Sequence, residues 1–305
     1  MDFDKDADID TSQIDDLRGS GPARGGGGGM GGLPIPGGGK TIGGGVVGLI
    51  LFVLLGLLGG TGNLPSFDSG TSTGDNTELE QKCAAGNTDR FREADCRQAA
   101  TFNDLRAYWK ANLFSTLGAQ YVEPRFALFD GAVNTGCGQA TSEVGPFYCP
   151  ADQRIYIDLT FYDELATRFG APGEFAQAYV IAHEFGHHIQ TVTGTERQVR
   201  RAQQRDPGRA NQYSIAMELQ ADCYAGVWTK AASSPGGLVD TVGEQEIQEA
   251  LRAAAAVGDD KIQEKTSGQV NPETWTHGSA EQRQQWFFRG YETGNPKSCD
   301  TFSAL

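Results

Sequence analysis

Two rhythms of apolar and polar positions divide the C-terminal three quarters of the chain. "FNDLRAYWKANLFSTL", residues 102–117, repeats its apolar residues at helical spacing, while "RFALFDG" (125–131) and "RIYIDLTFY" (154–162) are rich in the aromatic and β-branched residues of strands. Helical patterns return near 172–193, 211–232, 244–257 and 279–291. In the first of these, Phe175, Ala178, Ala182, Phe185, Ile189 and Val192 alternate steps of three and four, which is one face of a helix closed by Gly194. No internal repeat is present. The pattern predicts an α+β domain, mainly helical, with a small sheet. "RIYIDL" (154–159) precedes the helix of 172–193 and has two readings, an edge strand or an interior one.

Upstream the pattern fails. Residues 1–41 are acidic ("MDFDKDADIDTSQIDD") and then glycine-rich, and so little apolar surface predicts a disordered tail. The "GGGKT" within it resembles the end of a phosphate-binding loop, but Pro34 stands where the first glycine belongs and no strand precedes it. Residues 42–60 carry no charge and are strongly apolar from Val46 to Leu58. A membrane span needs ~20 apolar residues, so this one is marginal without its glycine flanks. The long polar leader and the missing A-x-A site favour an uncleaved single-pass anchor over a signal peptide. Arg18, Arg24 and Lys40 precede it and the next basic residue is Lys82, which predicts a cytoplasmic N-terminus and an extracytoplasmic C-terminal domain. Residues 61–78 read as a flexible linker, and the folded domain is expected over 79–305.

Composition narrows the partners. Hydrophobic content of 38% is low because the chain's 42 glycines are crowded toward the N-terminus, 22 of them within residues 1–75, so it does not argue against a core elsewhere. A net charge of −14 excludes a basic stripe that could neutralise phosphates, hence no nucleic-acid partner is expected. All six cysteines follow residue 60, as export would require. Their spacing groups Cys83 with Cys96 and Cys137 with Cys149, leaving Cys223 for Cys299; buried free thiols are the other reading. No C-x-x-C pair supports a zinc ribbon.

The chemistry gathers in "AYVIAHEFGHHIQ", residues 178–190. His183 and His187 are four apart and project one turn above the other, as two ligands of one metal ion must, while Glu184 can reach a water beside the metal. A wet helix face that happens to carry histidines is the bland reading. A metzincin continuation would need glycine at 190 and histidine at 193, where Gln190 and Thr193 stand instead. In "SIAMELQADCYAGVW" Glu218 and Asp222 are again four apart on an apolar helix, a costly place for carboxylates without partners. Glu218 would complete a His2Glu zinc site, and Asp222 would fix the tautomer of a ligand histidine from behind. His188 is rotated about 100° from His187 and cannot share the ion. "ERQVRRAQQRDPGR" reads as a solvated connection, and Arg283 reads as a structural salt bridge before a substrate contact.

HEFGHH, ELQAD, "GCGQATSEVGPFYCPADQRIYIDLTFYDEL" and "THGSAEQRQQWFFRGY" together resemble the "putative neutral zinc metallopeptidase" family of bacterial membrane-anchored proteins, from about residue 120 onward. The wider likeness is to gluzincins with HExxH and a distal ExxxD. The resemblance implies a zincin-like fold, Zn2+ on His183, His187 and Glu218, and Glu184 as general base in hydrolysis of a peptide or protein substrate by zinc-activated water. It also shifts His277, which precedes the final helix, from a helix-start residue toward a donor to the developing oxyanion. A zinc-binding pseudoenzyme or tethered partner-binding module is the alternative; it would not need Glu184.

Overall fold

The computed structural model describes residues 1–19, 74, 76–233, 238–303 and 305, so the apolar stretch 42–60 lies outside the described residues. In chain order the elements are β1 (Asp2–Phe3), β2 (Ile14–Asp16), α1 (Thr77–Cys83), α2 (Ala94–Leu117), β3 (Arg125–Phe129), β4 (Ala132–Thr135), β5 (Gly138–Thr141), β6 (Phe147–Cys149) and β7 (Arg154–Asp158). They continue with α3 (Thr160–Thr167), α4 (Glu174–Thr193), α5 (Thr195–Arg205), α6 (Ala210–Ala232), β8 (Val239–Thr241), α7 (Glu244–Ala256), α8 (Asp259–Ser267) and α9 (Ala280–Thr293). The fold is α+β, mainly helical with a small sheet. Among the described residues no helix is long and apolar enough to cross a membrane.

Helix α4 is buried on nearly every side, which its run of Phe, Tyr, Val, Ile and Ala permits, and it packs on α2, α6 and α7. Phe175 stacks on Trp228 of α6 at 6.0 Å, and Phe185 meets Phe102 of α2 at 6.0 Å. Three disulfides, Cys83–Cys96, Cys137–Cys149 and Cys223–Cys299, follow the grouping that the spacing suggested.

The main sheet has the order β2-β3-β7-β6, with β2, β3 and β7 parallel and β6 antiparallel. Of the two readings of "RIYIDL", the interior one holds: β7 lies between β3 and β6, all five of its residues are buried, and the outer strands of the sheet are β2 and β6. The strand also stops earlier than its sequence suggests. Asp158 accepts hydrogen bonds from the Thr160 N–H (2.9 Å) and hydroxyl (2.8 Å), and "TFY" turns into α3. The charged run after Gly194 is likewise helical as α5, with Val199 its one buried residue.

Residues 1–19 depart furthest from expectation. Where disorder was predicted for 1–41, these residues form β1, paired with β8, and β2, paired in parallel with β3. Phe3, Ile9, Ile14 and Leu17 are buried. They stand alone among aspartates, so no local periodicity marks them, and the aspartates find their partners far along the chain. Asp15 pairs with Arg125 (2.5 Å) and Arg154 (3.3 Å), and Asp10 pairs with Arg106 (3.0 Å).

Close helix crossings depend on glycine. A Cβ on Gly186 of α4 would fall 2.9 Å from the Ala221 Cα of α6, and one on Gly290 of α9 would fall 2.0 Å from the Cys223 carbonyl oxygen. Gly186→Ala should therefore lower the unfolding midpoint, by the roughly 1–3 kcal/mol typical of overpacking; thermal denaturation followed by circular dichroism measures it, and an unchanged midpoint would mean that the crossing is loose.

Candidate metal centre

The crossing of α4 and α6 brings together the residues that the two four-residue spacings singled out. His183, His187 and Glu218 offer ligand atoms that all lie within 4.8 Å of one another. His183 Nε2 is 3.1 Å from Glu218 Oε2, and His187 Nε2 is 3.4 Å from Glu218 Oε1. A tetrahedral zinc with bonds of about 2.0–2.1 Å holds its ligand atoms roughly 3.3 Å apart, so this donor set fits the ion.

The outer nitrogens fix the tautomers. A carboxylate can only accept, so His183 Nδ1–H donates to Asp222 Oδ1 at 2.8 Å. Likewise His187 Nδ1–H donates to Gln190 Oε1 at 2.8 Å, because the amide nitrogen of Gln190 is committed to the Met217 carbonyl (2.7 Å) and Gln220 (3.2 Å). With Nδ1 committed outward in each, both Nε2 atoms face Glu218, the placement that ligation requires. Gln190, whose identity ruled out a metzincin, is thus the support of the second histidine. Sequence reasoning used it to exclude and missed that role; its position three residues after His187, on the same helix face, was the available signal.

Asp222 is completely buried and accepts from four donors. Besides His183 they are the Tyr179 hydroxyl (2.5 Å), Arg283 Nε (2.7 Å) and Arg283 Nη2 (2.9 Å). Arg283 is the structural ion pair that the sequence suggested, and Tyr179, one turn before His183, was missed. Burial by itself would raise the Asp222 pKa, but Arg283 and His183 outweigh it and hold the carboxyl below its usual range. Burial likewise opposes the charge on Glu218, and His187, His183 and His277 outweigh it and hold its carboxyl well below the usual range.

Glu184 behaves differently. It is buried in the cleft floor and, among the described residues, its carboxylate has no hydrogen-bond partner. Burial raises its pKa above the ordinary glutamate value against the pull of His187 and His183. His188 points away from the cluster. Its Nε2–H donates to the Val122 carbonyl (2.8 Å), its Nδ1 accepts from Tyr148 (3.1 Å), and burial lowers its pKa to about 4.

The cluster opens into a cleft of about 880 Å³ that Phe147 and Tyr148 of β6, Met217 and His277 also line. The hydrogen bonds of the His277 ring are on Nδ1, to Asp259 Oδ1 and the Thr276 hydroxyl, both at 3.2 Å. Asp259 Oδ2 in turn accepts the backbone N–H groups of Thr276 (2.8 Å), His277 (2.6 Å) and Gly278 (3.0 Å). This carboxylate fixes the whole turn, and sequence reasoning did not find it. Burial works against a charged His277, but the Asp259 hydrogen bond and the charge of Glu218 outweigh it and raise the pKa.

The chain is 50% identical over 230 residues to an uncharacterized protein of Mycobacterium tuberculosis, covering 73% of this chain and 75% of that one. It is 47% identical over 190 residues to the uncharacterized protein YpfJ of Escherichia coli, covering 62% of this chain and 65% of that one. No solved structure matches. The family described as "Putative neutral zinc metallopeptidase" matches residues 3–302, which extends the likeness well upstream of residue 120. The chain belongs to this family.

Proposed function

We propose that this protein is a peptidase of zincin-like architecture in which His183, His187 and Glu218 hold one zinc ion and Glu184 is the general base. The observation that carries the reading is an unpartnered buried carboxylate, Glu184, beside a three-ligand cluster at the floor of an open cleft. A pure zinc-binding module would have no use for it. Zinc held there would polarise the scissile carbonyl and bring the pKa of a water toward ~7.

The chain supplies the remaining steps. Glu184, its basicity raised by burial, takes a proton from the attacking water and returns it to the leaving amine. His277, held through Nδ1 by Asp259, turns Nε2 to the cleft and donates a hydrogen bond to the carbonyl oxygen as it gains charge. An extended substrate lies along the outer strand β6, whose Phe147 and Tyr148 line the cleft. Three disulfides support an oxidising compartment for this domain.

Purified protein should bind one zinc ion, and His187→Ala or Glu218→Ala should abolish stoichiometric binding. Gln190→Leu should weaken it by ~10–100-fold through the loss of histidine orientation. Competition with a chromophoric chelator measures both, and full occupancy in the ligand variants would remove the assignment.

Glu184→Gln should retain zinc and lose peptidase activity by ~10²–10⁴-fold, since an amide cannot accept the proton. The assay is turnover of a diverse peptide library with product sequencing. Undiminished turnover would place the base elsewhere.

His277→Ala should lower kcat by ~10²-fold or more with KM and zinc content little changed, because its donor acts chiefly in the transition state. Loss of zinc in this variant would instead make His277 a support of the metal cluster.

A further inference from the structure

We infer that residues 1–19 and the catalytic domain occupy the same side of any membrane the protein meets, so the chain between them leaves and rejoins the domain without a net crossing. The N-terminal segment is a built part of the domain. Strand β3 is apolar on both faces and buried over Phe126–Phe129, the pattern of an interior strand that needs a neighbour on each side. One neighbour is β7. The other is β2, in the register Ile14↔Phe126, Asp15↔Ala127, Asp16↔Leu128. Without residues 1–19, β3 would be a bare hydrophobic edge.

Polar groups point the same way. Arg90 is 1% exposed and donates to the carbonyls of Lys5 (2.9 Å) and Ala7 (2.5 Å) as well as Cys83 (3.1 Å). Asn103 exchanges two hydrogen bonds with the backbone of Asp10, at 2.8 and 2.9 Å. Asp15 is 3% exposed between Arg125 and Arg154. Removing the segment to another compartment would leave these side chains without the partners they were positioned for, at the cost that attends any unpaired polar group in an apolar setting.

The two ends of the intervening chain also lie side by side. The Asn76 side chain accepts from the Asp16 N–H (2.9 Å) and donates to the Ile14 carbonyl (2.5 Å). A Cβ on Gly74 would fall 2.0 Å from the Asp16 carbonyl oxygen. A single crossing within 42–60, as the charge distribution predicts, would set these neighbours on opposite faces of a bilayer about 30 Å thick. Arg18, one of the basic residues before the apolar stretch, is paired with Asp16 (2.5 Å) and Asp95 (3.1 Å) and is not a free topogenic cation. A second copy of the chain supplying the N-terminal strand would impose the same sidedness.

The test uses the full chain in intact cells. Ser12 and Ser115 are exposed, on the N-terminal segment and on α2, and the six native cysteines are consumed in the three disulfides. Ser12→Cys and Ser115→Cys, made separately, are treated with a membrane-impermeant maleimide before and after permeabilisation, with detergent-denatured samples as the reference for complete labelling. The expected result is the same response for both thiols, whether labelled in intact cells or protected until permeabilisation. Labelling of Ser115→Cys in intact cells with Ser12→Cys protected until permeabilisation would overturn the inference and restore a single-pass anchor. Peptidase activity plays no part in this readout, so its outcome is independent of the proposed function.

Discussion

The buried carboxylate of Asp222 is the point on which the centre depends. It joins α4 through Tyr179 and His183 and α9 through Arg283 to its own helix, α6. A charge this deep would be prohibitive alone, and here both oxygens are hydrogen-bonded, Oδ1 by three donors and Oδ2 by one. Removing one partner from such a cluster typically costs about 3–5 kcal/mol, because the remaining charge stays buried. The same bonds fix the proton of His183 on Nδ1, so the interaction that locks three helices also readies a ligand nitrogen.

Backbone approach makes that interaction geometrically possible. Gly186 lies between His183 and His187 and faces Ala221, beside Asp222, so α4 and α6 cross with little side chain between them. Gly226 and Gly290 do the same for α6 and α9, where a Cβ on Gly226 would meet the Phe287 carbonyl oxygen at 1.9 Å. The second histidine is supported along another route: His187 to Gln190, Gln190 to Gln220, and Gln220 to the carbonyl of Cys299, whose disulfide returns to Cys223 on α6. One histidine is thus oriented by an ionic hub and the other by an amide chain. The covalent link that closes this chain belongs to the same helix that carries Glu218 and Asp222.

His277 shows how a loop residue acquires a fixed place. Its turn is held by a single carboxylate, Asp259, which takes three backbone N–H groups on one oxygen and the imidazole on the other. Gly278, at φ +90°, lets the chain leave that turn directly into the capping box of α9, where Ser279 and Gln282 exchange hydrogen bonds. Helix α9 in turn carries Arg283 to Asp222. The residue facing the cleft and the ion pair beneath the metal cluster are therefore set by one continuous stretch.

By itself the sequence determined the parts whose information is local. Steps of three and four gave α4 and α6, the spacings 183–187 and 218–222 gave both ligand helices their inward faces, and the two short cysteine intervals matched bridges that local geometry can close. Tertiary structure decided the rest. It made β7 interior and β6 an outer strand, turned "TFY" into a helix, and gave Tyr179, Gln190 and Asp259 their work. It also brought residues 1–19 into the sheet, although their apolar side chains are too scattered among aspartates to show a period. The reason is the reach of each signal. Periodicity reports the face of one element over a few residues, whereas Asp15 meets Arg125 across 110 positions and Tyr179 meets Arg283 across 104. Such pairs exist only once the helices and strands between them have packed.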